Sequence, residues 1–297
     1  MNTTLKGFYR LIISQPNQTP RIDTGWFENL VLDSGLNRIG SGVWASRCQV
    51  GTDNTPPQST NTSLLGLFAS TTTVVESSSG AQGSAPYYGY LRRKYTFAQG
   101  TFNNINLAEV GIGWDAGLFS RALIADINGN PTTITVLSNE QLDVIYEIRL
   151  YPPLTDTITT YEFEGQTYTY TARAAVVASG SSSAGWGMTG DVISISSDGT
   201  TYAPVAYDGA IGAITSTPSG NTSTRTSNST AAYGNNNLYR DMSATWGTDK
   251  ANFALGVKSV LLYTNGMGAF QMQIDPPLTK TSIDSLVMNF RVSWSRA

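Results

Sequence analysis

The chain has 297 residues and a formal net charge of −3, with only 13% of its residues charged. Such a balance creates no strong field for nucleic acid or an acidic membrane surface, so neither nucleic-acid binding nor membrane insertion is expected. Histidine is absent and Cys48 is the single cysteine, which excludes within the chain a Ser-His-Asp or Cys-His nucleophile, a His-ligated metal, an imidazole acid or base and an internal disulfide.

The length allows two domains of ordinary size, and 29 Gly and 12 Pro among many Thr, Ser and Asn favour short strands joined by turns. Residues 1–24 are polar, carry Pro16 and Pro20 around the short Leu11-Ile12-Ile13 run, and are expected to form an arm. A first core begins at 26–32 and closes at an Asp33-Ser34-Gly35 turn signal, with a further strand at 43–50. Ser-, Thr-, Gly- and Pro-rich loops at 51–63 and 76–86 flank short strands at 64–68 and 71–75. Strands resume at 87–95, 106–114 and 118–125, followed by an Asn128-Gly129 hairpin turn and a closing strand that ends before Pro152-Pro153. Then come a hairpin over 157–170 divided at Glu164-Gly165, strands at 171–178 and 191–195, and a turn at Asp198-Gly199. Residues 214–236 are nearly all Thr, Ser, Asn and Gly, which predicts a long exposed loop or a segment ordered only by a partner. No stretch sustains an apolar 3.6 period, so helix should be scarce, with at most one turn at 138–142.

No apolar run reaches the roughly 18 residues needed to span a bilayer. The Met1-Asn2-Thr3-Thr4-Leu5-Lys6 start lacks the apolar core of a signal peptide, so a soluble protein made in a cytoplasm is expected.

Two strands share one pattern. Leu142, Val144, Tyr146, Ile148 and Leu150 alternate with Asp143, Ile145, Glu147 and Arg149, and Leu286, Met288, Phe290, Val292 and Trp294 alternate with Val287, Asn289, Arg291 and Ser293. Period-2 alternation turns one apolar face inward and a mostly polar face outward. Upstream, Tyr90, Phe97, Trp114 and Asp126 match Tyr239, Trp246, Tyr263 and Asp275 at a constant offset. The offset then shortens, because the turn from Asp126 to Pro131 corresponds to Asp275-Pro276, and Ile134 and Leu142 match Leu278 and Leu286. A length change confined to a turn is what a structural duplication tolerates.

Candidate chemistry is thin. Glycosidases need two carboxyl groups across a sugar bond, and Glu76, Glu109, Asp115, Asp126, Glu162 and Glu164 are available, but nothing in the sequence pairs any two. The glycines of the run from Gly111 to Gly117 lack phosphate-loop spacing and precede no amphipathic helix. Asp126, Asn128 and Asn130 open like a calcium loop, yet Pro131 and the missing terminal glutamate break it. Arg92, Arg93 and Lys94 sit among Tyr87, Tyr88, Tyr90 and Tyr95, but neighbours on a strand face opposite ways and form no single patch. Asn-x-Ser/Thr triplets at Asn221 and Asn228 arise by chance in such a composition, and Cys48 suits a small core position. Low charge with neutral hydrogen-bonding side chains suits permanent protein contacts, because charged groups are costly to desolvate.

Several segments resemble virion proteins of tailed bacteriophages, which serve in tail, baseplate or tail-fibre functions. They are the run from Gly25 to Ile39 (GWFENLVLDSGLNRI), Asn106 to Trp114 (NLAEVGIGW), Leu118 to Ile124 (LFSRALI) and Asn130 to Val136 (NPTTITV), with Glu140 and Tyr146 following. The similarity covers residues 25–153; the second half adds PLTKT from Pro277 and FRVSWSR from Phe290. It transfers no catalytic residue. Trp26, Phe27 and Trp114 are expected as core or interdomain anchors.

The expectation is therefore an all-β protein of two tandem antiparallel β-sandwich domains, jelly-roll or Ig-like, related by internal duplication: a short N-terminal arm (1–24), domain 1 (25–153) and domain 2 (154–297). As a virion structural protein assembled in the host cytoplasm, it would act as a tail, baseplate, collar or fibre-attachment component, contacting itself as a homo-oligomer and other virion proteins. The alternatives are a capsid decoration protein and a receptor module binding host surface glycan through exposed aromatics such as Tyr87, Tyr88 or Tyr233. An enzyme is not expected, and no catalytic, metal or cofactor residue and no cofactor is assigned.

Overall fold

The computed structural model describes residues 1–16, 18–115, 117–190, 192, 194–195 and 204–297, with 194–195 in backbone only. The protein is predominantly β, with 51% of the described residues in strands and 2% in helix, so helix is as scarce as the missing 3.6 period requires. The chain divides into an N-terminal unit (Leu5–Ser78, Leu91–Arg149, Arg296–Ala297) and a C-terminal unit (Met1–Thr4, Ser79–Tyr90, Leu150–Ser295).

In the N-terminal unit one sheet runs in the order Phe27–Val31, Gly117–Leu123, Glu109–Trp114, Arg47–Gly51, Leu67–Thr71. A second set places Gly89–Phe97 between Val74–Ala81 and Gln141–Tyr151. Aromatic rings fill the space inside: Tyr9 lies 5.1 Å from Tyr146, and Trp44 lies 4.4 Å from Phe119. Such ring pairs add specific geometry to the area they bury. The Tyr9 hydroxyl shares a hydrogen bond with Ser120 Oγ at 2.8 Å, which satisfies it in an otherwise apolar site.

In the C-terminal unit the order is Gln166–Ala175, Ala269–Leu278, Val257–Asn265, Val205–Tyr207, Thr222–Thr224, with Thr157–Phe163 added at the outer side of Gln166–Ala175. A second set places Tyr239–Trp246 between Ser227–Thr230 and Leu286–Arg296. Trp186 anchors this unit. Its indole N–H donates to Ala175 O at 2.8 Å and its ring meets Phe270 edge-on at 5.5 Å. Gly89 passes so close that a Cβ there would stand 1.6 Å from Trp186 O.

The expected alternation holds on the inner faces. Leu142, Val144, Tyr146, Ile148 and Leu150 are all buried, as are Met288, Phe290, Val292 and Trp294. The other face of Gln141–Tyr151 departs from expectation, because Asp143 and Glu147 are also buried. Glu147 accepts from Arg92 at 2.7 Å and from Arg149 at 2.6 Å, and Asp143 accepts from Thr96 at 2.7 Å. Ion pairing and hydrogen bonding let a polar face be covered.

Three further expectations are corrected. Residues expected as an arm form the strand Asn2–Ser14, whose alternate residues are buried, including Leu5, Tyr9, Leu11 and Ile13. The Asp33-Ser34-Gly35 turn is the start of a helix, Asp33–Ile39, where Leu36 and Ile39 are buried one turn apart and Gly35 lets the helix touch the Phe119 backbone. Segment 214–236 is not a featureless loop. It holds the strands Thr222–Thr224 and Ser227–Thr230, paired to Val205–Tyr207 and Tyr239–Trp246 respectively. The Asp198-Gly199 turn and most of the 191–195 strand lie outside the described residues, Ser194–Ile195 forming a short strand.

Candidate interaction surface

The hairpin expected around Glu164-Gly165 is present. Thr157–Phe163 pairs with Gln166–Ala175 in the register Thr159↔Tyr170, Tyr161↔Tyr168, Phe163↔Gln166. Glu164 and Gly165 both take positive φ, 51° and 77°, the geometry a two-residue loop needs to match strand twist. Alternation then puts Thr159, Tyr161 and Phe163 on one face beside Tyr168 and Tyr170. Met272, Leu278 and residues 285–289 close the other side of a groove of about 650 Å³.

Its lining contains no charged side chain. Tyr161 is 60% exposed, Phe163 48% and Val287 56%. The Tyr170 hydroxyl is held above its ordinary range, first by burial and then by the neighbouring Tyr168 and Tyr161, so it stays neutral at physiological pH. Every residue of Thr157–Phe163 is exposed. The sequence signal for this surface was the Thr/Tyr/Phe alternation on both arms of the hairpin, which marks a strand but not the side left uncovered.

The sequence candidates fall elsewhere. Glu109 is fully buried on Arg121, Asp115 pairs with Arg47 at 2.7 Å and Glu76 with Lys94 at 3.3 Å. Asp126 caps its own turn, accepting from the Asn128 and Asn130 N–H groups at 2.9 Å, and Gly129 supplies the positive φ of 81°. Those backbone donors hold the Asp126 carboxyl below its usual range. Glu162 and Glu164 stand on the exposed hairpin. Among the described residues no group of three or more Asp, Glu or Cys side chains is placed to hold a metal ion. The glycines at 111–117 serve close packing, since a Cβ on Gly113 would lie 2.0 Å from Gly117 O. Cys48 is buried, and burial raises its thiol pKa.

Alternation turns Arg93 away from Arg92 and Lys94: Arg93 goes to the Ala45 carbonyl, while on the other face Arg92 goes to Glu147 and Lys94 to Asp143 at 3.1 Å. Of the aromatics considered for glycan binding, Tyr88 and Tyr233 are packing groups, and Tyr87 is partly buried. Tyr88 lies 5.7 Å from Tyr151, and Tyr233 stacks on Trp294 at 6.0 Å. Asn221 is exposed and bonded to Asp208, its side chain donating at 2.7 Å. Phe27 is buried as expected of an anchor, but Trp26 is 39% exposed and lines a cleft of about 580 Å³ with Arg10, Glu76, Arg92 and Lys94. No helix among the described residues is long and apolar enough to cross a membrane. Comparison of the chain with protein-family models, with curated proteins and with solved structures returns no match.

Proposed function

We propose that the protein is a structural component of a bacteriophage particle, a tail, baseplate, collar or fibre-attachment protein that works through permanent protein contacts. The observation that carries this reading is the uncharged aromatic groove beside a fully exposed strand. Contiguous exposed apolar surface of this kind marks an interaction site, and absence of charge keeps its desolvation cheap. The particle assignment draws on the resemblance of residues 25–153 to tail-associated virion proteins.

The scaffold reading is of two β-sandwiches descended from one duplicated unit. Its support is the pairing order. Counting in chain order the eight strands that make up each unit's five-strand row and second set, from Phe27–Val31 in one and from Gln166–Ala175 in the other, both rows connect first, seventh, sixth, second and third, and in both the fourth, fifth and eighth strands form the other set. Duplication explains that identity without a separate origin for each half.

Copy number in purified particles tests the function. A low, fixed copy number per particle is the tail result; one approaching that of the major shell protein would replace it with capsid decoration. Absence from washed particles would end both.

A glycan-binding reading is favoured by one observation, the Trp26 cleft. The Arg92 guanidinium sits 5.4 Å from the Trp26 ring centroid, so a half-exposed aromatic platform stands among polar donors and acceptors. Saturable binding of host surface polysaccharide, lost in Trp26→Ala, would establish it; equal binding by the variant would dismiss the cleft.

A further inference from the structure

We infer that the exposed strand Thr157–Phe163 pairs with the same strand of a second copy of this chain, as an antiparallel, two-fold β contact. The inference deepens the assembly reading and rests on it in taking the contact as permanent, but it names the partner and the atoms.

The hairpin loop closes on Phe163 and Gln166, so these two residues exchange ladder hydrogen bonds. Alternation along an antiparallel pair then directs the N–H and C=O groups of Glu162, Thr160 and Ile158 away from Gln166–Ala175. Among the described residues Thr157–Phe163 has no second neighbouring strand. An unpaired edge is a template for another strand, and proteins that must stay monomeric guard it with Pro, Lys, a bulge or a cover. This edge has none of these: its residues are TITTYEF, all exposed, in unbroken register with the partner strand.

Charge selects a second copy as occupant. In the full-overlap antiparallel alignment Thr160 faces Thr160, Ile158 faces Glu162 and Thr159 faces Tyr161 of the other chain. The one charged residue of the strand thus meets no like charge, and just beyond the overlap Glu164 comes level with Asp156 of the other chain, whose charge is already paired with Arg173. Tyr161 and Phe163 would be covered by Thr159 and Thr157 of the other copy, extending the uncharged groove across the two-fold axis. A two-fold contact closes on itself, so it gives a dimer and not a fibre.

The full-length protein tests this by sedimentation velocity and light scattering. The wild type should be a dimer at about 10 μM, a concentration above the dissociation constant of a stable contact. Thr160→Pro removes an outward donor without touching the hairpin ladder, and Ile158→Lys sets a guarding charge on the edge; each should weaken dimerisation at least about tenfold. Circular dichroism checks folding, and if Thr160→Pro fails to fold, Ile158→Lys decides. With native Cys48 buried, Thr160→Cys should give a disulfide-linked dimer on mild oxidation, while Ser63→Cys, in an exposed loop, should not. A monomeric wild type, a dimer indifferent to the edge variants, or heterogeneous aggregates would overturn the proposal. None of these outcomes bears on whether the chain belongs to a particle, which copy number decides separately.

Discussion

Replacing Arg121 by Met should cost the N-terminal unit about 3 kcal/mol, the lower end of what breaking a buried ion pair costs. Arg121 and Glu109 are both fully buried on adjacent strands. The guanidinium donates to Glu109 Oε2 at 2.7 Å, and to Asn61 Oδ1 and Thr55 O at 2.9 Å each. Methionine keeps much of the stem's packing but leaves a buried carboxylate without its cation. The Gly66 N–H at 2.6 Å still supports that carboxylate, and the loop acceptors can turn to water, which places the loss at the low end. Amide hydrogen exchange of Glu109–Trp114 reads this unit alone, and about 3 kcal/mol corresponds to roughly a hundredfold loss of protection. Arg121→Met/Glu109→Gln, which removes the stranded charge while keeping an acceptor for Gly66, should recover roughly half of the loss. A single-variant change under about tenfold would refute the reasoning, because it would mean that water reaches the carboxylate.

Acid should destabilise the protein in a definite direction. The carboxyls of Asp23, Asp33, Glu140 and Asp241 are held below their ordinary range, in each case chiefly by an arginine hydrogen bond, from Arg10, Arg296, Arg21 and Arg291 respectively. Below the ordinary carboxylate range the unfolded chain binds more protons than the folded one. Stability is therefore complete above about pH 5 and falls as pH drops through 4 and lower, which urea midpoints across that range would show; a flat profile would contradict it. Gly89→Ala should cost about 3 kcal/mol or prevent folding, since its Cβ would strike the Trp186 carbonyl, and a thermal midpoint near wild type would contradict that packing. Cys48 should stay unmodified by a thiol reagent until the protein unfolds, because it is buried and its pKa is raised; rapid labelling of the native state would place it at the surface.

Local patterns carried most of what the sequence made legible. Alternation from Leu142 to Leu150 and from Leu286 to Trp294 fixed which residues face inward, and Asn128-Gly129 and Glu164-Gly165 fixed two turns, because those choices depend on neighbours in the chain. Features that depend on distant partners were harder. Phe8 and Ile12 blur the alternation of residues 2–14, and besides the nearby strands at 22–23 and 27–31 this strand pairs with 141–151, far along the chain, so Pro16 and Pro20 suggested an arm. Asp33-Ser34-Gly35 fits a turn and a helix start equally, and only Leu36 and Ile39, one turn apart, distinguish them. The groove was illegible for a related reason: Tyr161, Phe163, Tyr168 and Tyr170 look like core residues, and which sheet edge stays uncovered is a property of topology.

Low charge and apolar contact surfaces together make one demand on the proposed role, that attachment survive salt. Particles purified on a density gradient and washed in about 1 M salt, where the screening length shrinks to about 3 Å, should retain this chain at unchanged stoichiometry. Release by salt, or recovery of the chain only in the soluble fraction of the lysate, would contradict a permanent structural place in the particle.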